Sequence, residues 1–287
     1  MRFIKLVLCI LFIISFVFSV YIYFSDNSDY EAPEIKCDTD TITVSVNDPD
    51  EKILSHVSAY DKKDGDVTES IIIESISPFI SKKTAKVTFA VCDSENNVRK
   101  LEKDIVFSDY TSPEFKINRQ HVYYIGATKA DLVSGVGAFD CLDGDISSRV
   151  NVADSQLDFS QPGVYPITYS VTSSKGITSE ININAYVYAS RLSESILLKS
   201  YLVYTDMNNP VNPQSFIESY PEEYFENNYY SNYDYSFDII DDVDYTKPGV
   251  YYITYRLTRT SNNSYFDDKT EILAEAYLAV AVRGDSK

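Results

Sequence analysis

The sequence predicts an all-β protein in which three tandem antiparallel β-sandwich domains follow one N-terminal transmembrane helix. Three observations support this fold class. The chain begins with a long uncharged apolar run, and three sequence motifs each occur twice, about 80 residues apart. Apolar and polar residues alternate in short segments bounded by turn-forming residues, which is typical of half-buried strands. The 25 Tyr and 15 Phe also favour pleated sheets.

The first element is the uncharged segment Leu6–Phe24. As a helix rising about 1.5 Å per residue, it is long enough to cross a hydrocarbon core of roughly 30 Å. Arg2 and Lys5 precede it and acidic residues follow it, so the N-terminus is expected to be cytoplasmic and the C-terminal domains extracellular. We predict a signal anchor over residues 1–25 of a single-pass protein of the cell membrane. A cleaved signal peptide is the alternative, although the apolar run is long for one.

Internal repeats divide the remainder of the chain into three units. Two motifs relate the first unit to the second, and a third motif relates the second unit to the third. The matched segments are Glu31–Lys36 and Thr111–Lys116, Ala59–Val67 and Ala138–Ile146, and Gln161–Tyr169 and Lys247–Tyr255. Because the middle unit shares a motif with each neighbour, we expect one fold in all three. The predicted domains are residues 30–108, residues 110–188 and a divergent third domain over residues 190–287.

The clearest strand of each unit follows a period of two, so that every second side chain points into the core. A Pro-Gly turn precedes this strand in the second and third units, and a turn containing Ser, Asn or Gly ends it in all three. Such strands predict antiparallel sheets that are buried on one face. The expected inward-facing residues are Ala85, Val87, Phe89 and Val91, then Tyr165, Ile167, Tyr169 and Val171, and finally Tyr251, Ile253, Tyr255 and Leu257.

Two of these motifs resemble those of a known family. The pattern A-x-D-x-x-D-G-D-[VI]-[TS], followed by P-G-x-Y-x-[IV]-T-Y, is similar to the bacterial surface Ig-like domain of exported bacterial proteins, which has a relative in a pesticidal crystal protein. The second unit matches best, over residues 112–188. The first has Lys82–Thr84 in place of the Pro-Gly turn, and the third lacks the Asp-Gly-Asp segment. The resemblance implies tandem Ig-like sandwiches and an exported protein, and it implies no catalytic residues and no agreed ligand.

Two clusters of aspartates are candidate metal ligands. In each, three carboxylates and a glycine form a D-x-x-D-G-D segment, and carboxylates at this density can coordinate Ca²⁺, which takes six to eight oxygen ligands. The spacing differs from an EF-hand loop, so we favour a structural turn in which the Asp side chains cap their own backbone and the glycine has a positive φ. No other cofactor is expected. The aspartates are Asp61, Asp64, Asp66, Asp140, Asp143 and Asp145.

The charge and the motifs argue against two classes of function. The chain carries 43 acidic and 25 basic residues, a net charge of −18. A surface of this sign repels phosphates, so we expect no nucleic-acid partner and membrane contact through the N-terminal helix only. The two histidines, His56 and His121, lie in different repeats, and the sequence contains no nucleophile elbow, phosphate loop or zinc-protease motif. We therefore predict that the protein is not an enzyme.

Three of the four cysteines lie outside the apolar segment. Cys37 occupies the repeat position of Ile117, which favours a small core residue. A disulfide between Cys37 and Cys92 within the first domain is the alternative, because the outside of the cell is oxidising. Since their number is odd, the three external cysteines cannot all pair within one chain.

A tyrosine-rich stretch in the third domain is the candidate binding surface. Between Tyr220 and Tyr235, aromatic residues stand among Asn, Ser, Asp and Glu, a composition that suits recognition surfaces. The stretch lies near the position at which the first two repeats carry Asp-Gly-Asp, and loops on a rigid sandwich are common binding sites. We predict that Tyr229, Tyr230 and Tyr233 are partly exposed and contact the ligand, while several tyrosines of the stretch belong to the core.

Together these features predict a membrane-anchored extracellular Ig-like module for binding, adhesion or spacing, without catalytic activity. Its partner is expected to be a protein or a carbohydrate at the cell surface. The alternative is the ectodomain of a sensory or scaffolding subunit of a membrane complex. Such a subunit would have to signal through a partner, because the predicted cytoplasmic segment has only about five residues.

Overall fold

The computed structural model of the protein is built mainly of β-strands, which include 50% of its residues, and the predicted all-β Ig-like fold class is confirmed. The chain divides into two bodies, Met1–Tyr110 and Thr111–Lys287. Among the described residues, the first body holds the N-terminal helix and two sheets, and the second body holds four sheets. We describe the sheets under the three predicted domains, with domain 1 in the first body and domains 2 and 3 in the second. The structure describes residues 2–27, 31–127, 131–226, 233–261 and 270–284.

The chain begins with the helix α1, Arg2–Asn27. Its segment Leu6–Tyr23 has a mean hydropathy of 2.7, and none of this segment is buried inside the protein. By length and composition the helix is able to cross a membrane, a property that it shares with signal sequences. The helix predicted over the apolar run is therefore present.

Domain 1 is a sandwich of a small sheet and a large sheet. Its elements are β1 (Glu34–Cys37), β2 (Thr41–Val44), α2 (Asp50–Leu54), β3 (Val57–Asp61), β4 (Gly65–Asp66), β5 (Ile72–Ile76), β6 (Thr84–Cys92) and β7 (Val98–Phe107). The small sheet has the strand order β1-β3-β4, and the large sheet has the order β2-β7-β6-β5.

Domain 2 repeats this arrangement. Its strands are β8 (Glu114–Ile117), β9 (Val122–Tyr124), β10 (Val136–Asp140), β11 (Gly144–Asp145), β12 (Asn151–Ser155), β13 (Gly163–Thr172) and β14 (Thr178–Tyr188). The small sheet has the order β8-β10-β11, and the large sheet has the order β9-β14-β13-β12. Each strand therefore has a counterpart in domain 1.

Domain 3 keeps the large sheet and has a reduced small sheet. Its elements are β15 (Leu197–Leu198), β16 (Leu202–Asp206), β17 (Ile217–Ser219), α3 (Glu223–Glu226), β18 (Tyr233–Asp241), β19 (Gly249–Ser261) and β20 (Thr270–Arg283). The large sheet has the order β16-β20-β19-β18, and the small sheet pairs β15 with β17. In the described residues, domain 3 therefore differs from the first two domains mainly in its small sheet.

Each large sheet contains one parallel pair in addition to its antiparallel pairs, a feature that the sequence did not predict. Strand β2 runs parallel to β7, β9 to β14 and β16 to β20. The pair arises because the chain at the start of each domain contributes first to the small sheet, through β1, β8 or β15. It then crosses to the edge of the large sheet and lies beside the last strand of the domain, which runs in the same direction.

The predicted inward-facing residues of the central strands form the cores. Burying one such aliphatic side chain stabilises the fold by roughly 1.5–3 kcal/mol. The buried members are Ala85, Val87, Phe89 and Val91 on β6, Ile167, Tyr169 and Val171 on β13, and Ile253, Tyr255 and Leu257 on β19. The prediction is confirmed for these residues, and the tyrosine at the start of β13 and of β19 is half-buried instead.

That half-buried tyrosine holds the Pro-Gly turn before its strand. The ring of Tyr165 lies over Gly163, and its hydroxyl donates to the carbonyl oxygen of Gln161 at 3.0 Å. A Cβ at Gly163 would lie 3.3 Å from the ring, so only glycine fits without a shift of the ring. The same arrangement recurs in domain 3, where Tyr251 lies over Gly249. The repeated P-G-x-Y motif is therefore one structural unit.

Domains 2 and 3 share one continuous apolar core within the second body, and a group of polar contacts lies at their junction. Tyr186 and Tyr277 stack with their ring centroids 3.7 Å apart. Beside them the buried Glu275 accepts hydrogen bonds from the hydroxyls of Tyr188 and Tyr277, both at 2.6 Å, and pairs with Arg256 at 2.5 Å. Burial alone would raise the pKa of Glu275, but these partners lower it below its usual value. The carboxylate is therefore charged and fully paired.

A buried histidine joins two tyrosines in the core of domain 2. His121 is 1% exposed, with Nε2 2.9 Å from the hydroxyl oxygen of Tyr169 and Nδ1 3.3 Å from that of Tyr123. The Tyr169 hydroxyl donates to the carbonyl oxygen of Leu132, so Nε2–H donates to Tyr169 and Nδ1 accepts from Tyr123. Burial lowers the pKa of His121 to about 4, so the ring is neutral.

Acidification is expected to destabilise the second body through His121. Because its folded pKa of about 4 lies below the ordinary value of 6.5, the stability that the neutral ring provides is complete above pH 6.5 and is lost as the pH falls toward 4. The loss is on the order of 2–3 kcal/mol at pH 4. Thermal melts of the full chain between pH 7 and pH 4 measure it.

The control for this prediction is His121→Gln, which keeps one donor and one acceptor and does not titrate. Carboxylates such as Asp66 and Asp145, whose pKa values are lowered by hydrogen bonds, also begin to lose their stabilising effect near pH 4, and they do so equally in both proteins. The variant should therefore lose less stability than the wild type between pH 7 and pH 4. An equal loss in both proteins would contradict the role given to His121.

Candidate functional site

The two Asp-Gly-Asp segments form the same turn, between β3 and β4 in domain 1 and between β10 and β11 in domain 2. Asp61 is buried, and its Oδ1 accepts from the backbone N–H groups of Lys63 and Asp64 at 2.7 and 2.9 Å. Gly65 follows with a φ of 80°, which a residue with a Cβ resists. Asp140 accepts the corresponding bonds in domain 2 at 2.9 and 3.0 Å.

The other two carboxylates of each turn have separate partners. Asp64 accepts from the backbone N–H and the hydroxyl of Ser94 at 2.7 and 2.8 Å, and Asp143 binds Ser174 in the same way at 2.6 and 2.5 Å. Asp66 accepts from the backbone N–H two residues further along at 2.9 Å, as does its counterpart in domain 2. Within the described ranges, no group of three or more His, Cys, Asp or Glu side chains could hold a metal ion. The geometry favours structural turns, and the calcium alternative stays a prediction.

The tyrosine-rich stretch of domain 3 divides between the core and the surface. Tyr220 stacks on a phenylalanine of β18 with centroids 4.4 Å apart, and Tyr224 stacks on Tyr235 at 4.7 Å, so that all three pack against the core. Tyr233, at the start of β18, is 38% exposed, and the guanidinium of Arg259 lies 4.9 Å from its ring centroid. Its contact with a ligand stays a prediction. Outside the described residues lie Tyr229 and Tyr230.

The three cysteines beyond the helix are free thiols, so no Cys37–Cys92 bond is present in the structure. Cys37 ends β1 on the side of the strand that faces the core, and it is half-buried where Ile117 of domain 2 is buried. Cys92 is also half-buried, and its thiol donates to the carbonyl oxygen of Asp93 at 3.4 Å. Both cysteines are therefore half-buried parts of the sandwich and are not joined to each other.

The outer face of the small sheet in domain 1 carries a row of side chains that sequence reasoning did not identify as a site. Glu34 on β1, Tyr60 on β3 and Asp66 on β4 stand directly opposite one another across the three strands. Lys36 projects from the same face, because residues two apart on a strand share a side. Its Nζ lies 3.1 Å from the Glu34 carboxylate. Tyr60 is 63% exposed, and we call these four residues platform 1.

Domain 2 repeats this row with one aromatic exchange. Glu114 on β8, Phe139 on β10 and Asp145 on β11 are opposite one another, and Lys116 shares their face. The ammonium of Lys116 lies 5.3 Å from the centroid of the Phe139 ring, within the range of a cation–π contact. Phe139 is 46% exposed. These four residues are platform 2, and the recurrence of the row makes it the strongest candidate for a site.

A groove lies over each platform. The groove over platform 1 has a volume of about 370 Å³ and is lined by residues of domain 1, among them Ser58 and Thr68. The groove over platform 2 is larger, about 500 Å³, because domain 3 supplies a wall from Leu202, Val203, Tyr204 and Arg283. Both volumes fall within the ~300–1,000 Å³ that is usual for ligand pockets.

The wall from domain 3 is attached to platform 2 by polar contacts. The hydroxyl of Tyr204 accepts from the backbone N–H of Phe115 at 3.0 Å. The guanidinium of Arg283 pairs with Glu114 at 2.8 Å and lies 4.8 Å from the centroid of the Tyr204 ring. Burial raises the pKa of Tyr204, so its hydroxyl is neutral and available as an acceptor. The second groove is thus a composite of two domains.

The sequence contained a signal for the platforms. When the first two repeats are aligned, four positions carry the same type of side chain in both: two are acidic, one is lysine and one is aromatic. Asp61 must point into the domain, because its carboxylate accepts hydrogen bonds from the turn that follows it. Since successive side chains of a strand point to opposite faces, Tyr60 on β3 must point to solvent. The aligned pairs are Glu34 with Glu114, Lys36 with Lys116, Tyr60 with Phe139 and Asp66 with Asp145.

The family comparison agrees with the resemblance found in the motifs. Residues 128–184 match the model of the family described as Bacterial surface protein, Ig-like domain. The matched residues lie in domain 2, so the resemblance that the motifs of that domain indicated is confirmed there. No curated protein matches the chain.

Solved structures show weaker similarity. A structure of a catalytic domain with two CBM51 domains of ZmpB from Clostridium perfringens has a TM-score of 0.26 and 12% identity, covering 88% of this chain and 43% of that one. A structure of the CBM51-2 and INT domains of ZmpB from Clostridium perfringens has a TM-score of 0.25 and 20% identity, covering 57% of this chain and 40% of that one. The lipoprotein BT2262 of Bacteroides thetaiotaomicron has a TM-score of 0.24 and 12% identity, covering 57% of this chain and 78% of that one. The chain spans less than half the length of the ZmpB chains, and at these scores the similarities carry no argument about function.

The structural role of the Asp turns predicts a response to substitution at Gly144. Its φ of 73° and the open space around its Cα mean that Gly144→Val suffers from backbone strain alone, which should cost about 1–2 kcal/mol of unfolding free energy. Gly144→Asn is the matched control and should cost less, because Asn tolerates this conformation. Thermal melts measure both. Calcium should leave the melting temperature unchanged, and a rise that a chelator reverses would show that the aspartates bind the ion.

Proposed function

We propose that this chain is a membrane-tethered extracellular binding module that holds a surface ligand on platforms 1 and 2, without catalytic activity. The observation that carries the proposal is the recurrence of one row, an aromatic ring between two carboxylates with a lysine beside them, on two domains. The turns explain why Asp66 and Asp145 recur, since both accept a backbone N–H, but they do not explain an exposed aromatic ring at the same position of both domains. We attribute the exposed aromatic side chains Tyr60 and Phe139 to a ligand, because each stands beside charged groups at the floor of a groove.

The tether is supported by the first element of the chain. Leu6–Tyr23 is apolar and uncovered, Arg2 and Lys5 precede it, and the bacterial surface family of domain 2 fits an exported protein. On this proposal the N-terminus is cytoplasmic and the three sandwiches are extracellular. The acidic character of the chain agrees with a partner that is neither nucleic acid nor an anionic lipid surface.

The absence of catalysis is supported by the surroundings of the two histidines. His121 is buried with both ring nitrogens bound to tyrosines, so it is closed to a substrate. His56 lies with Nδ1 3.0 Å from the carboxylate of Asp38, in a different domain from His121. The platforms offer recognition by stacking and hydrogen bonding, which is the chemistry of a binding protein.

Loss of both platform rings should abolish ligand binding. The double variant Tyr60→Ser with Phe139→Ser removes the stacking surfaces, and its melting temperature should stay within about 2 °C of the wild type because both side chains are exposed. Binding of the full chain, reconstituted in nanodiscs, to cell surfaces and to proteins and glycans extracted from them measures the effect. A matched control is Val98→Ser with Val164→Ser, which removes two similarly exposed apolar side chains elsewhere and should bind normally.

The outcome of that experiment also separates the alternatives. Retention of binding by the double platform variant would contradict the proposed site. Capture of one membrane protein alone, unaffected by the platform substitutions, would favour a sensory or scaffolding subunit of a membrane complex instead.

The tether makes an independent prediction. The protein should sediment with membranes at its full mass, and external protease should degrade the sandwiches in intact cells while leaving a protected N-terminal fragment. N-terminal sequencing of the membrane-bound protein checks whether α1 is retained. A mature chain that begins within or after the apolar segment would contradict the anchor and indicate a cleaved signal peptide.

A further inference from the structure

From the chemistry of the platforms we infer that the ligand is a neutral carbohydrate and that platform 2, with its domain 3 wall, is the stronger of two sites. This inference rests on the proposed binding function and names its ligand class. Three properties carry it: an exposed ring, a balanced set of hydrogen-bonding groups and a wall from the neighbouring domain.

The exposed ring provides an apolar surface of the size of a sugar ring. Tyr60 and Phe139 each stand at the centre of their row, between two shorter acidic side chains. The face of an aromatic ring carries partial negative charge, and the C–H groups on one face of a pyranose carry partial positive charge. Stacking of the two is therefore favourable and also removes apolar surface from water.

The polar groups around the ring match hydroxyl groups, which both donate and accept hydrogen bonds. In the groove over platform 2 the carboxylate of Glu114 accepts, and the cationic groups of Lys116 and Arg283 donate. The carboxylate of Asp145 stands opposite Phe139 and accepts from the backbone N–H of Ser147. A ligand rich in hydroxyls can bind to both kinds of group. A peptide strand or an aliphatic chain offers fewer groups of this type per unit of area.

The charges around platform 2 favour a neutral ligand. Glu114 and Asp145 balance Lys116 and Arg283, and on platform 1 the two acids Glu34 and Asp66 outweigh Lys36. The protein as a whole carries a net charge of −18, so the approach of an anionic glycan is opposed by the long-range field. A cationic ligand is not favoured on platform 2 either, because the carboxylates there do not outnumber the basic groups.

The difference between the two grooves ranks the sites. Platform 2 is walled by Tyr204 and Arg283, which increases the surface that a second sugar unit can contact, and the volume rises from about 370 to about 500 Å³. The pairing of Glu114 with Arg283 also holds that carboxylate in place before the ligand binds, which reduces the ordering that binding requires. On platform 1, Glu34 pairs with its own neighbour Lys36, and both side chains are mostly exposed.

The test uses the full chain in nanodiscs against arrayed neutral oligosaccharides, carboxylated and sulfated glycans, and cell-surface proteins. We expect binding to neutral oligosaccharides. Titration of the best of them should give an affinity that falls by about tenfold in Phe139→Ser and by less in Tyr60→Ser. Phe139→Tyr is the matched control, because it installs the ring of platform 1 and should bind within about twofold of the wild type. All variants should keep the melting temperature of the wild type.

Each other result has a defined meaning. Binding to charged glycans alone would overturn the neutral class. Binding to proteins alone, lost in Phe139→Ser, would overturn the carbohydrate inference and leave the proposed binding function standing. Glycan binding that ignores both ring substitutions, or no binding to any arrayed class, would overturn the platforms as sites and the proposed function with them.

Discussion

Both platforms depend on one buried carboxylate in each domain. Asp61 and its counterpart Asp140 are 2% and 1% exposed, and a buried carboxylate is stable only when its oxygens accept hydrogen bonds. The backbone N–H groups of the following turn supply them, which forces the chain to reverse within four residues. The reversal pairs β4 with β3, and β11 with β10, in one register. In that register Asp66 stands opposite Tyr60, so the order of the platform follows from the inner carboxylate.

The same alternation explains what the sequence could and could not predict. Ile167 and Tyr169 were predicted as core residues because β13 is long enough for its period of two to be recognised, and they are buried. The strands of the small sheets have only two to five residues, too few for a period to stand out. The outward position of Tyr60 becomes predictable only when the turn after Asp61 and the repeat alignment are considered together.

The tyrosine-rich stretch shows the limit of composition as a guide. Tyr224 and Tyr235 stack on each other against the core, whereas Tyr233, two residues earlier on the same face of β18, is partly exposed. The two tyrosines differ in exposure because of their position along the strand. Tyr233 is the first residue of β18, beyond the part of the strand that packs against the core. Likewise Glu275 is charged and buried because Arg256 lies opposite it on β19 and Tyr188 reaches it from β14 of domain 2. Neither outcome is encoded within a short window of sequence.

Domain 3 acquires a different role through its divergence. It lacks the Asp-Gly-Asp segment, and in the described part of the domain its small sheet pairs only β15 with β17, so it has no row equivalent to the platforms. Its β16 and the end of β20 instead provide Tyr204 and Arg283 to the groove of domain 2. The stacked tyrosines and the paired Glu275 hold the two domains together, and burying that charge is stable only while its partners stay in place. The junction therefore fixes the wall against platform 2, and the domain that has no platform of its own completes the groove of its neighbour.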